Sequence, residues 1–362
     1  MKERFLKRLK RWLIIILIFL LAVAGFVIVK YNRDPQGLIN EIDELYAKVT
    51  EMSNQLYGTN IVDEKITLPE EELLTETQKY YYYQQLSDTA KKIYATIENN
   101  VDKILLGEDN IELPSSLNDV AKNQGKDVVA KEFQNAWDAF ITDKSEYFYI
   151  DSSKVCLVTK ITTRGNITNY QFYIGKGENE TYFIDEFNSK EDVDMAIKEL
   201  DVITNEIISS ASGNNYEKIL YIHDWIVDNT EYETKKVANT ANAYGCIVNN
   251  KAICEGYARA FKYLMDKLNI PCVLVSGDAI DENGKSERHA WNYVYINNNW
   301  YAIDTTWDDP IIIGNGKINE NIKYKYFLKG SSTMKKDHIT SGQITEEGME
   351  FTYPELAVED LM

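Results

Sequence analysis

Hydrophobic positions along this chain follow three rhythms. From Trp12 to Val29 they form an unbroken run, further on they recur at intervals of three and four, and late in the chain they fill short, partly alternating aromatic segments. The run, with Ile14-Ile15-Ile16 and Phe19-Leu20-Leu21, has the length of a slightly short membrane-spanning helix. It shows no polar face, which argues against a buried core helix. Lys2, Arg4, Lys7, Arg8, Lys10 and Arg11 precede it and only Lys30 and Arg33 follow closely. Positive charge therefore favours a cytoplasmic N-terminus, with everything after Tyr31 outside. A cleaved signal peptide is the competing reading, because Ala22-Val23-Ala24 fits a small-residue cleavage pattern; against it, Phe26-Val27-Ile28-Val29 stays apolar past the cut.

Helical spacing begins after this anchor. Leu38, Ile42, Leu45, Val49 and Met52 predict a helix over Pro35–Tyr57, the start of a membrane-proximal stalk. Gly58 and Pro69 frame a connection, and Leu86, Ala90, Ile93, Ile97, Val101 and Ile104 continue helical patterning through Glu70–Leu106. Tyr80-Tyr81-Tyr82-Tyr83 reads as packing against a neighbouring domain rather than as an aromatic binding patch. Val128–Ile141 is a further helix; Val155–Thr162 and Asn169–Ile174 are strands joined through Arg164-Gly165-Asn166. A helix over Lys190–Ser210 ends at Ser212-Gly213-Asn214, the clearest internal boundary. Ile219, Leu220, Ile222, Trp225 and Ile226 then lie on one side of a helix over Tyr216–Asn229. These breaks divide the chain into a basic segment and anchor (1–33), a helical stalk region (34–112), a small α+β unit (113–212), a chemistry-bearing core (213–335) and a C-terminal tail (336–362).

Composition sharpens this outline. Glycine (18) and proline (6) are scarce among 362 residues, so most of the chain is expected to be helix or strand. Residues 1–33 carry eight basic side chains and one acidic, a net +7, so the remainder holds −25 of a chain total of −18. An ectodomain this acidic repels nucleic acid and other polyanions. Cys156, Cys246, Cys254 and Cys272 form no Cys-x-x-Cys pair, and only His223, His289 and His338 could assist them, so neither zinc nor another cofactor is expected. In an oxidising exterior two of the other three cysteines could pair, but a nucleophilic Cys254 must stay free.

Cys254 opens an amphipathic helix whose apolar stripe is Tyr257, Ala258, Phe261, Leu264, Met265 and Leu268 and whose end is marked by Asn269 and Pro271. At a helix N-terminus the free amides and the macrodipole favour a thiolate, the species that attacks carbonyl carbon. Gly256 is expected to leave room for a substrate. Downstream, His289–Ile296 and Asn299–Asp304 are strands joined by Asn297-Asn298, a dipeptide suited to a tight hairpin. With those two as the loop, facing pairs sum to 595, so Asp304 faces Trp291, and His289 lies on the same face two residues away. Diagonal neighbours sit about 7 Å apart, within reach of a carboxylate–imidazole hydrogen bond. The carboxylate would fix the tautomer, and the other ring nitrogen would take the thiol proton and return it to a leaving amine.

The local sequences Tyr244-Gly245-Cys246, Ala252-Ile253-Cys254-Glu255-Gly256-Tyr257-Ala258, His289-Ala290-Trp291-Asn292 and Asp304-Thr305-Thr306-Trp307-Asp308-Asp309-Pro310 closely resemble the bacterial transglutaminase-like superfamily, in the same Cys, His, Asp order. The resemblance covers roughly residues 215 to 330. It implies an α+β, papain-like core, with the nucleophile helix packed on an antiparallel sheet that carries the other two residues of the triad. Animal cross-linking transglutaminases place tryptophan directly after the nucleophile; Glu255 stands there here, so their substrate preference and calcium dependence do not carry over. The oxyanion donor is expected from the Cys254 amide or, as a weaker candidate, Tyr244.

Trp291, Asn292 and Trp307 are candidates for cleft lining or support, Asn292 also for orienting His289. His223 reads as structural, Cys246 as a small buried hydrophobe rather than a redox lock with Cys254, and Asp308-Asp309 as a loop cap or solvated face rather than a calcium site. His338, in a polar tail beyond a last strand at Tyr324–Leu328, receives no role. The expected protein is a membrane-anchored, extracytoplasmic thiol enzyme acting on protein or peptide amides at the cell surface through a Cys254 thioester. Hydrolysis is favoured over cross-linking, and a non-catalytic binding module with the same fold is the remaining alternative.

Overall fold

The computed structural model describes residues 80–361 apart from 235, 236, 238, 282 and 310–319. The expected anchor at 12–29 and the helix at 35–57 lie outside the described residues, among which no helix is long and apolar enough to cross a membrane. Where the three-and-four spacing resumes, α1 (Tyr81–Gln84) leads to α2 (Asp88–Glu98), which starts at Ser87 because its side chain accepts the Ala90 N–H and which buries Ala90, Ile93, Tyr94 and Ile97. α3 (Val101–Leu105), β1 (Ile111–Glu112), α4 (Leu117–Gln124) and α5 (Lys126–Asp143) follow. The expected hairpin forms as β2 (Cys156–Arg164) and β3 (Ile167–Gly175), with Arg164 opposite Ile167 and Gly165 at φ +61°, and β1 joins it in a three-stranded sheet, order β1-β3-β2.

α6 (Lys190–Ser210) occupies the span its pattern predicts, and α7 (Asn215–Asn229) begins just after the expected break. Both open with a capping box, Ser189 with Asp192 and Asn214 with Glu217, so the polar residues at the break satisfy helix-end amides. Next come β4 (Glu231–Tyr232), α8 (Ala243–Ile247), β5 (Lys251–Ala252) and the nucleophile helix α9 (Cys254–Lys267). α9 ends as Asn269 predicts: that residue adopts φ +54°, its N–H reaches the Asp266 carbonyl, and the Ile270 N–H reaches Met265. This is a Schellman closure.

β6 (Cys272–Ile280), β7 (Ser286–Ile296) and β8 (Asn299–Ile303) form the sheet on which α9 packs, and after α10 (Glu320–Lys323) and α11 (Ser331–Met334) the last strand β9 (His338–Thr340) completes it in the order β8-β7-β6-β9, all antiparallel. Ile296 faces Asn299 and Asn292 faces Ile303, the register that sums to 595, around a turn with Asn297 and Asn298 at φ +51° and +61°.

Three expectations change. Tyr324–Leu328 is a turn rather than a strand, with Leu328 at φ +50°, and the segment after 335 is no free tail, because β9 pairs with β6. Residues 80–112, expected within the stalk region, share one hydrophobic core with the catalytic sheet, a core that runs on to Phe351. Tyr82 is buried and its hydroxyl donates to the Leu274 carbonyl on β6; the amides of Tyr82 and Tyr83 donate to Asp143 at 3.1 and 2.9 Å. Burial pushes the Asp143 carboxyl up to about 7, against the opposing pull of Lys262 on α9.

Candidate active site

Cys254 is the first residue of α9, after the N-cap Ile253, so its amide and those of Glu255 and Gly256 have no intrahelical acceptor and point out of the helix start. The residue is half-buried. Gly256 serves a purpose other than the expected one. A Cβ there would sit 2.3 Å from the Thr240 carbonyl and 2.8 Å from the Ala252 side chain, so its hydrogen lets the connection from β4 pack on the helix.

β7 delivers His289 to the start of this helix, where it and Cys254 line the same cleft. Its Nε2 lies 2.7 Å from Oδ2 of Asp304, the residue directly after β8. Asp304 is fully buried. A carboxylate only accepts, so Nε2 carries a proton and Nδ1 is left to exchange one with the thiol. The other carboxylate oxygen, Oδ1, accepts the amides of Thr306 at 3.0 Å and Trp307 at 3.1 Å, which fixes the plane of the group. Ring burial opposes protonation of His289, but the Asp304 charge outweighs it and lifts the imidazole to about 10. For Asp304 burial pushes upward, and the two imidazoles it contacts more than offset this, holding it well below the usual carboxylate range. The imidazole and the helix start thus flank one side chain, Cys254, at the edge of the cleft.

The second of those imidazoles belongs to His338, to which the sequence reading assigned nothing. Its Nε2 is 3.1 Å from the same Asp304 Oδ2, and its Nδ1 is 2.7 Å from Asp337 Oδ1. His289, Asp304 and His338 bring ring nitrogens and a carboxylate oxygen within 4.8 Å of one another. With both Nε2 atoms donating to Asp304, the lone pairs a cation would need are turned into N–H bonds.

The remaining sequence candidates mostly support rather than line. Trp291 is buried and lies against His289 (centroids 6.0 Å, 23°) and His338 (4.9 Å); Trp307 covers the same two rings at 5.4 and 4.8 Å. Asn292 does not orient His289: it is fully buried, and its Nδ2 donates to the Ala258 carbonyl at 3.0 Å, tying β7 to α9. Tyr244 is not aimed at a reacting carbonyl, since its hydroxyl donates to Glu199 at 2.6 Å and its ring stacks on Phe148. His223 is buried between Asp224 and Asp308, each at 3.1 Å. Asp308 is a buried cap, taking the Tyr326 amide at 2.7 Å, and Asp309 accepts the Tyr257 hydroxyl at 2.5 Å, so neither is a solvated face. Cys246 is buried against the Thr230 hydroxyl and pairs with no other cysteine.

A cleft of about 290 Å³ opens beside Cys254 and His289. Its walls come from sequence-distant segments: Tyr82 and Thr142 from the N-terminal helices, Leu274 and Arg288 from the sheet, Glu255 and Arg259 from α9, and Ile344 from beyond β9. None of these was singled out as a site residue from the sequence. Only the position of Glu255 next to the nucleophile offered a signal.

Residues 203–305 match the family model of the transglutaminase-like superfamily. Kyphoscoliosis peptidase of Mus musculus is 26% identical over 149 residues, 37% of this chain and 22% of that protein; its Homo sapiens counterpart is 25% identical over 124 residues. The chain thus spans about a fifth of the length of these relatives. A crystal structure of a TGase aligns with a TM-score of 0.29 at 16% identity, over 49% of this chain and 50% of that one. Residues 203–305 are therefore a domain of the transglutaminase-like superfamily type.

Proposed function

We propose that this protein is a thiol enzyme that transfers acyl groups from peptide or protein amides through a Cys254 thioester, with water as the usual acceptor. The observation that carries the reading is the Cys254–His289–Asp304 array at the mouth of the cleft, with His289 Nε2 2.7 Å from a buried carboxylate. The Cys254 thiolate attacks the amide carbonyl carbon, and the oxyanion that forms is met by amides of the first turn of α9. His289 gives its Nδ1 proton to the amine as the C–N bond breaks. Water then attacks the thioester, His289 takes its proton, and the C–S bond breaks to release a carboxylic acid and the thiolate.

The peptidase named in the mouse and human relatives supports hydrolysis over amine transfer. We further propose that residues 12–29 anchor the chain and that this site works outside the membrane, on substrates at the cell surface, as the basic cluster before Trp12 favours. The test offers the protein a glutamine-bearing protein with a labelled primary amine, uses Cys254→Ala as control, and scores cleavage, deamidation and label by mass spectrometry. Cys254-dependent cleavage or deamidation is expected. Cys254-dependent label alone would establish a cross-linking enzyme instead, and no product together with no preferential alkylation of Cys254 would leave a binding module.

A further inference from the structure

His338 lies outside the family-matched domain, and its ordinary reading is a buried histidine that satisfies a carboxylate in the core. His223 is such a residue: it too bridges two carboxylates, those of Asp224 and Asp308, and Asp308 meets the triad only through its backbone N–H, which donates to the Asp304 carbonyl at 3.1 Å. What separates His338 is the identity of its acceptor. Its Nε2 shares the one Asp304 oxygen that holds His289, at 3.1 Å against 2.7 Å.

The rest of its surroundings fix that contact. Asp337 holds the opposite ring nitrogen at 2.7 Å and is itself held by the Tyr326 hydroxyl at 2.7 Å. Trp291 and Trp307 meet the ring edge-on, with centroids 4.9 and 4.8 Å away, and the side chain is 1% exposed. β9 reaches this position because Gly277 of β6 lies beneath it. A Cβ on Gly277 would stand 2.1 Å from the Ile339 carbonyl and 2.9 Å from the Trp291 ring. A short strand late in the chain is thus seated closely enough to place one N–H on the triad carboxylate.

We infer that His338 is a positioning residue of the active site: its Nε2–H holds Asp304 Oδ2 in the orientation that presents His289 to Cys254, completing a hydrogen-bonded chain Asp337–His338–Asp304–His289 that ends at the cleft beside Cys254. The Asp304 carboxylate only accepts, so the Nε2 that meets it carries a proton. Oδ2 then receives two charge-assisted hydrogen bonds and Oδ1 two backbone ones, and all four directions open to the carboxylate are taken. Without His338 the group keeps its plane but loses the restraint on Oδ2. The titratable groups facing His338 are Asp337 on its own strand, Asp304 after β8, His289 on β7 and Tyr326 in the turn after α10; β6 presents Ala279 opposite it.

The inference rests on the triad reading, and the test separates the two. In the full-length protein, the alkylation rate of Cys254 by iodoacetamide is followed across pH by peptide mass spectrometry for wild type, His289→Ala, His338→Gln and His338→Met. Gln and Met have similar size, but only Gln keeps a donor. Expected are loss of rapid alkylation at about pH 6 in His289→Ala, about a tenfold loss in His338→Met, and a His338→Gln rate within about threefold of wild type. A folded His338→Met variant with the wild-type pH profile, while His289→Ala loses it, overturns the role of His338. An unchanged His289→Ala profile overturns the triad itself. Should His338→Met fail to fold, His338→Gln decides: a rate near wild type supports the donor, and a rate as low as that of His289→Ala refutes it.

Discussion

Replacing Asp304 by Asn isolates the charge of the triad from its shape. The amide can keep every hydrogen bond in the site. Its oxygen can accept the Thr306 and Trp307 amides now at 3.0 and 3.1 Å, and its two N–H bonds can point at His289 and His338, whose Nε2 atoms lie 2.7 and 3.1 Å from Oδ2. Both imidazoles must then present Nε2 as an acceptor and keep a single proton on Nδ1. For His338 this costs little, because Nδ1 already faces Asp337. For His289 it removes the only basic atom facing Cys254. Two charge-assisted hydrogen bonds become neutral ones, a loss of about 1–3 kcal/mol of stability in total. Turnover should fall by about 10³–10⁴, some 4–5 kcal/mol of barrier at about 1.36 kcal/mol per decade. Urea unfolding and alkylation of Cys254 at about pH 6 read the two effects separately. A folded variant that alkylates Cys254 within about threefold of wild type would refute the tautomer argument and remove Asp304 from the triad.

The same pair makes stability depend on pH. His289 is raised to about 10 in the folded chain, so its contribution is complete below the unfolded value of about 6.5 and is lost as pH rises through about 10. Asp304 is depressed, so its share of the same interaction is present above about 3.9 and lost as pH falls through its folded value. The difference in urea midpoint between wild type and Asp304→Asn should therefore shrink from pH 6 to pH 10, and a constant difference would count against the ion pair. Gly256→Ala should lower stability by about 1–3 kcal/mol through the clash with the Thr240 carbonyl; an unchanged melting temperature would show that the connection yields. Protease added outside intact cells should digest the catalytic domain if residues 12–29 anchor it with the N-terminus inside, and full protection of the domain in cells with accessible surfaces would overturn that topology.

The parts of the site that were legible in the sequence are those set by neighbours in the chain. Asn297-Asn298 can adopt two left-handed conformations in succession, so the β7–β8 register and the approach of Asp304 to His289 followed from counting. The stripe from Tyr257 to Leu268 and Asn269 fixed α9 and put Cys254 at its head. What escaped depends on partners far along the chain. β9 is three residues long and is held in place by Gly277–Ala279, more than fifty residues earlier, so no periodicity marks His338 as a site residue. Tyr82 meets Leu274 across 192 residues, and Tyr244 finds Glu199 instead of the cleft. Tyr324–Leu328 has the aromatic content of a strand, but the Tyr326 amide is spent on Asp308 and Leu328 turns to positive φ.

The cleft walls have a consequence for how selectivity can diverge from chemistry. Tyr82, Thr142 and Ile344 shape the space beside Cys254 yet sit on segments that precede or follow residues 203–305. Two proteins could keep the same nucleophile, base and carboxylate and still accept different acyl donors by exchanging only these flanking segments. The reverse also holds. A graft of Tyr82, Thr142 and Ile344 with their surroundings onto a relative is the economical way to transplant substrate choice while leaving the bond-breaking atoms untouched.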